Sequence, residues 1–85
     1  MTTKDIVIKL KSGLAAGPVA VFVQVASQYK SSVYVEYGTK KVNAKSLMGM
    51  MSLGIATGET VKISADGEDA EEAIAAIEQY LGTEE

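Results

Sequence analysis

Apolar and polar positions alternate along this chain in a way that marks out four short strands and three helices. Residues 5–10 place Ile6, Ile8 and Leu10 on one face and Val7 and Lys9 on the other, the period of a half-buried strand. Over residues 16–29 the period lengthens. Val19, Phe22, Val23 and Ala26 recur at i, i+3, i+4 and i+7, which predicts a helix with its stripe toward the core. Pro18 stands near its start, where a missing N–H costs little. Val21 and Val25 fall off that stripe, so a second apolar face is expected, for core burial or for contact with a partner.

Strand character returns over residues 33–37 and 40–42. Gly38-Thr39 joins the two with glycine first, the signature of a type II′ hairpin. Lys40 and Lys41 mark the second of these strands as an edge, since lysines discourage edge pairing. A short helix is expected over residues 47–53 and a fourth strand over 60–65, burying Val61, Ile63 and Ala65. The last helix is expected over 69–81, with Ala70, Ala73, Ile74, Ile77 and Leu81 as its buried stripe. Asp69, Glu71 and Glu72 complement its dipole, Gly82 stops it, and residues 83–85 are expected to fray. The order βαββαβα, with one apolar face per strand, predicts an α+β fold: one sheet with helices packed on one side.

Composition narrows the chemistry. A chain of 85 residues predicts a single domain, 1–85, with a modest core. There is no cysteine, so neither a disulfide nor a thiolate metal site can brace it. There is no histidine, which removes the commonest general base, metal ligand and phosphoryl-accepting imidazole. The net charge of −3 argues against direct nucleic-acid binding, which needs a basic surface. No apolar run approaches a membrane span and the first ten residues lack a signal-peptide layout, so a cytoplasmic protein is expected. The acidic residues Glu68, Asp69, Glu71 and Glu72 lack the spacing of a cation loop, so no metal or cofactor is expected.

The stretch at residues 42–58, VNAKSLMGMMSLGIATG, is the most informative. Ser46 is expected to cap the short helix, its hydroxyl accepting a first-turn amide. Lys40, Lys41 and Lys45 precede it, with Lys45 adjacent. Leu47, Met48 and Met51 share one helical face and Met50 and Leu53 another, so one face can pack inward and leave thioethers outside, where they suit adaptable partner surfaces. A phosphate on Ser46 would meet first-turn amides, so the serine is read as a candidate modification site.

This stretch closely resembles the regulatory region of HPr, the small phosphocarrier of the sugar phosphotransferase system. The segments GLAAGP, FVQVAS and SADGEDAEEAIAAIEQYL resemble that family's counterparts, so the likeness covers essentially the whole chain. The resemblance implies an open-faced β-sandwich whose antiparallel sheet runs in the order 1-4-2-3, with three helices on one face. It implies that Ser46 is phosphorylated by an ATP-dependent HPr kinase/phosphorylase. It also implies that the phosphorylated form is a corepressor of a LacI-type catabolite control repressor, with Lys45, Leu47, Met48 and Met51 as the partner-binding residues.

Phosphocarriers of the family read G-L-H-A-R-P before the first helix, where this chain reads Gly13-Leu14-Ala15-Ala16-Gly17-Pro18. Ala15 replaces the imidazole that carries the phosphoryl group, and Gly17 replaces the arginine that steadies it. A phosphohistidine relay through this loop is chemically impossible, and no enzymatic activity is expected. The chain thus resembles the catabolite-repression branch, Crh, which lacks the carrier histidine and keeps the serine. It departs from that branch, which usually has glutamine at Ala15 and retains the arginine at Gly17. Because that arginine helps contact the repressor, the resemblance implies weaker binding here. Crh relatives exchange a first strand between chains, which implies a homodimer by first-strand exchange. The alternative is an HPr-family scaffold or interaction protein with degenerate phosphorylation sites, binding through Met48 and Met51 irrespective of Ser46.

Overall fold

In the computed structural model, which describes residues 1–83, the elements are β1 (Thr2–Val7), α1 (Ala16–Ser27), β2 (Ser32–Tyr37), β3 (Lys40–Asn43), α2 (Leu47–Met51), β4 (Thr60–Asp66) and α3 (Ala70–Leu81). Of the expected frayed end, residues 84 and 85 lie outside the described residues. The strands form one antiparallel sheet in the order β1-β4-β2-β3, an α+β architecture with β1 and β3 at its edges.

The period-two pattern decides which way the sheet faces. Ile6, Val33, Val35, Val61, Ile63 and Ala65 are buried on one side. Their alternates, Asp5, Tyr34, Glu36 and Lys62, lie on the other. The buried side meets Val19, Phe22 and Ala26 of α1, Met50 of α2, and Ala73, Ile74, Ile77 and Leu81 of α3 in one cluster. Each large side chain so buried stabilises the fold by about 1.5–3 kcal/mol. At the hairpin Gly38 has φ +61° while Thr39 keeps a negative φ, as a type II′ turn requires and a type I′ turn does not.

Three elements differ from the pattern by two residues or more, and the others by one at most. β1 begins and ends earlier than residues 5–10, matching the β4 ladder from Ala65 opposite Thr2 to Thr60 opposite Val7. Thr2 and Thr3 are strand-favouring β-branched residues, and pairing with β4 carries the strand across Lys4 and Asp5, which are not. Ile8 and Leu10 are still buried, held beyond the ladder by bonds such as the Gly58 amide to the Ile8 carbonyl at 2.7 Å. α1 ends at Ser27 rather than 29. α2 stops at Met51 rather than 53, where Ser52 returns its hydroxyl to the Gly49 carbonyl at 2.6 Å and Gly54 takes φ +59°. Of the off-stripe valines of α1, Val25 packs against the core, whereas Val21 is exposed.

Candidate functional site

Ser46 lies where β3 hands the chain to α2. Asn43, the last residue of β3, makes the turn. Its Oδ1 accepts the Lys45 amide at 2.8 Å and its carbonyl accepts the Ser46 amide at 3.0 Å. Within the turn Ala44 is fully buried and donates its amide to the Val33 carbonyl at 2.8 Å. The chain reaches Ser46 in an extended conformation, φ −98° and ψ 110°, and Ser46 Oγ accepts the Gly49 amide at 3.1 Å. The serine is thus the N-cap of α2, satisfying a first-turn donor that would otherwise lack a partner. It is exposed to solvent. Gly49 leaves the hydroxyl room, since a Cβ there would lie 3.2 Å from Ser46 Oγ.

The two faces of α2 separate cleanly. Met50 is fully buried, and Leu53 just beyond the helix is nearly so. Leu47, Met48 and Met51 are 45%, 84% and 51% exposed, an apolar patch that begins next to the serine. The lysines do not gather there. Lys45 is half-buried and its Nζ donates to the Tyr29 carbonyl at 2.6 Å. Lys41 lies with its Nζ 5.2 Å from the centre of the Tyr34 ring, on the face of the sheet away from the core.

The loop before α1 is well built, but positions 15 and 17 carry no reactive group. Gly13 takes φ +64° and donates to the Leu10 carbonyl at 2.9 Å, and buried Leu14 donates to the Ile55 carbonyl at 2.8 Å. A Cβ on Gly13 would sit 2.5 Å from that same Ile55 oxygen, so the loop packs backbone to backbone against the segment after α2. Tyr80 of α3 donates its hydroxyl to the Pro18 carbonyl at 2.9 Å. Ala15 is the N-cap residue of α1, extended and exposed, with no side-chain bond to the helix. Gly17 is exposed, and a Cβ on it would meet nothing within 4 Å. A methyl group and a hydrogen atom occupy the outward positions 15 and 17, so neither of these two positions offers a nucleophile or a cation.

Two polar clasps had no local signal in the sequence. Asp69 accepts the Lys30 amide at 2.8 Å, the Ser31 amide at 2.9 Å and the Ser31 hydroxyl at 2.5 Å. The hydroxyl first, then the amides, hold its carboxyl at about 2, below the ordinary 3.8. The acidic start of α3 therefore ties α3 to the turn after α1. Tyr37 donates its hydroxyl to Glu59, whose second oxygen accepts the Ala56 amide at 2.8 Å. That bond lowers the Glu59 carboxyl and raises the Tyr37 hydroxyl. Among the described residues, no group of acidic side chains is arranged to hold a metal ion, and no helix is long and apolar enough to cross a membrane.

The family profile described as "PTS HPr component phosphorylation site" matches residues 2–83. The chain belongs to the HPr family. This HPr-family chain is 45% identical over 84 residues to the HPr-like protein Crh of Bacillus subtilis strain 168, covering 99% of each. The phosphocarrier protein HPr of Bacillus anthracis strain Ames matches its structure with a TM-score of 0.92 at 45% identity, over 94% of this chain and 95% of that one. A crystal structure of seleno-methionyl Crh from Bacillus subtilis, described as a domain-swapped, intertwined dimer, matches with a TM-score of 0.78 at 45% identity, over 100% and 98% of the chains. The sheet order and helix placement implied by the HPr resemblance are those of the fold described above.

Proposed function

We propose that this HPr-family chain is a Crh-like regulatory protein of carbon catabolite repression, switched by phosphorylation of Ser46. An HPr kinase/phosphorylase transfers the γ-phosphoryl group of ATP to Ser46 Oγ. The hydroxyl proton leaves, a new O–P bond forms and ADP departs. The phosphorylated protein then docks on a LacI-type catabolite control repressor as its corepressor. Leu47, Met48 and Met51 supply the apolar contact and the phosphoserine supplies the charge. The chain is not itself a catalyst, and it acts in the cytoplasm as one domain, 1–85.

One observation carries this reading: an exposed N-cap serine stands next to an exposed leucine and two exposed methionines, on a chain without a histidine. The hydroxyl and the docking patch are both accessible, and no imidazole competes for the phosphoryl group. Modification replaces a neutral hydroxyl with a charge of about −1.5 to −2 at the cap. The Gly49 amide, now bonded to Ser46 Oγ, is then available to a phosphate oxygen as a charge-assisted partner. The edge position of β1 supports a homodimer by first-strand exchange, in keeping with the swapped dimer described for Bacillus subtilis Crh.

The test is incubation with a cognate kinase and ATP. The intact chain gains the mass of one phosphate and Ser46→Ala gains none. Only the modified chain then binds the repressor. A partner captured equally by wild type and Ser46→Ala through Met48 and Met51 would favour the interaction-protein reading instead.

A further inference from the structure

We propose that Asn43 and Lys45 are positioning residues for Ser46, fixing the acceptor hydroxyl through bonds made inside the chain rather than through contact with a partner. This inference rests on the reading of Ser46 as the phosphate acceptor.

Asn43 uses both of its oxygens on the turn that delivers the serine, Oδ1 for the Lys45 amide and the carbonyl for the Ser46 amide. On the far side Ser46 Oγ is fixed by the Gly49 amide. Lys45 ties the same turn sideways. Its Nζ donates to the Tyr29 carbonyl at 2.6 Å, just past the end of α1, where carbonyls lack intrahelical partners and a cation is favoured. The anchor is itself held, since the next two amides, Lys30 and Ser31, donate to Asp69 of the α3 start. Lys45 therefore joins Ser46 to a fixed point in the fold.

Its place beside the serine in sequence suggests a free cation for a partner or a phosphate. The geometry points elsewhere. A half-buried stem and a carbonyl within 2.6 Å of the ammonium mean that recruiting Lys45 outward breaks an existing charge-assisted bond. Phosphoryl transfer needs the attacking oxygen within roughly 3–3.5 Å of phosphorus and aligned with it, and a misplacement of about 1 Å can cost about 100-fold in rate. A bracket that sets the hydroxyl acts on the chemical step. A residue that touches the kinase acts on binding.

The experiment compares full-length wild type, Lys45→Met and Asn43→Ala as substrates of the ATP-dependent kinase, with amide exchange of the unmodified proteins as a second readout. The expected result is a kcat lowered about tenfold or more in both variants, with KM for the protein substrate within about twofold of wild type. The Gly49 amide, which reads the cap, exchanges about fivefold faster in both, and Asn43→Asp, which keeps the acceptor oxygen, restores it. Unchanged exchange at Ile63 shows that the sheet is intact. A rise in KM at constant kcat for Lys45→Met makes it a contact residue and overturns the inference. So do wild-type kinetics in both variants, or an unchanged Gly49 amide. If the unaltered chain is never phosphorylated, the acceptor reading falls and takes this inference with it.

Discussion

Ser46 and Ala15 hold the same kind of position and do different things. Each is the extended residue at the mouth of a helix, at φ −98°, ψ 110° for Ser46 and φ −85°, ψ −176° for Ala15. Each is exposed, and each follows a turn tied down by backbone bonds. At Ser46 the side chain completes the cap, whereas at Ala15 the first turn has no side-chain acceptor. The groups that hold the Ala15 loop are Gly13, Leu14 and the Tyr80 hydroxyl, none of which carries a phosphoryl group. Backbone architecture and chemistry are therefore separable here. The loop keeps its shape because the shape is built by residues other than the outward-facing pair.

That separation is broken or sharpened first by restoring chemistry to the emptied loop. Ala15→His with Gly17→Arg reinstates the imidazole and the cation that the HPr resemblance places there. Room exists, because a Cβ on Gly17 meets nothing within 4 Å and Ala15 is exposed. The double variant is expected to take phosphate from phosphoenolpyruvate through the general phosphotransferase enzyme, where the unaltered chain takes none. Labelled phosphoenolpyruvate reads the outcome directly. An inert double variant would mean that the loop has lost its carrier shape along with its carrier side chains.

A smaller effect tests the backbone of the same loop. Gly13→Ala forces an L-residue to φ +64° and drives its Cβ to 2.5 Å from the Ile55 oxygen, a backbone atom that cannot swing aside. The expected cost is about 1–3 kcal/mol. Gly17→Ala, four residues on and inside α1 with open space around it, is expected to gain about 0.5–1 kcal/mol from helix propensity. Urea unfolding of the two variants should move the midpoint in opposite directions. Equal shifts would show a plastic loop and remove the contrast.

How far the sequence speaks depends on the range of the interaction. The stripe of α3 and the inward set of β4 are local periodicities, and every residue in them faces as its spacing requires. The cap at Ser46 and the split between Met48 and Met50 are legible for the same reason, since both are decided within two turns of helix. The strand order is not local. Alternation says that four strands each have a buried face, but only the likeness to HPr supplies the order. The direction of Lys45 is hidden too, because its acceptor is 16 residues away, and the Ser31–Asp69 clasp spans 38. No window of neighbouring residues contains both partners, so Lys45 reads as a free charge beside a serine when it is already engaged.

The smallest effect separates the two regions by pH. Each is braced by a carboxylate: Asp69 holds Lys30 and Ser31 beside the Tyr29 anchor of Lys45, and Glu59 holds Ala56 beside the Gly13 loop. Both carboxyls are lowered by folding, Asp69 chiefly by the Ser31 hydroxyl, from 3.8 to about 2, and Glu59 chiefly by the Tyr37 hydroxyl, from 4.5. A folded-state value below the unfolded one means stability that is complete above the unfolded value and is lost as pH falls through the folded one. Asp69→Asn is therefore less stable than wild type at pH 7. The gap starts to narrow below 3.8 and closes as the pH falls through about 2. For Glu59→Gln the narrowing begins higher, near 4.5. Unfolding measured from neutral to acid pH checks both, with the Lys30 and Ser31 amides reporting one region and the Ala56 amide the other. A gap that stays constant as the pH falls would mean that the shape of the side chain, and not its charge, joins α3 to the turn behind Ser46.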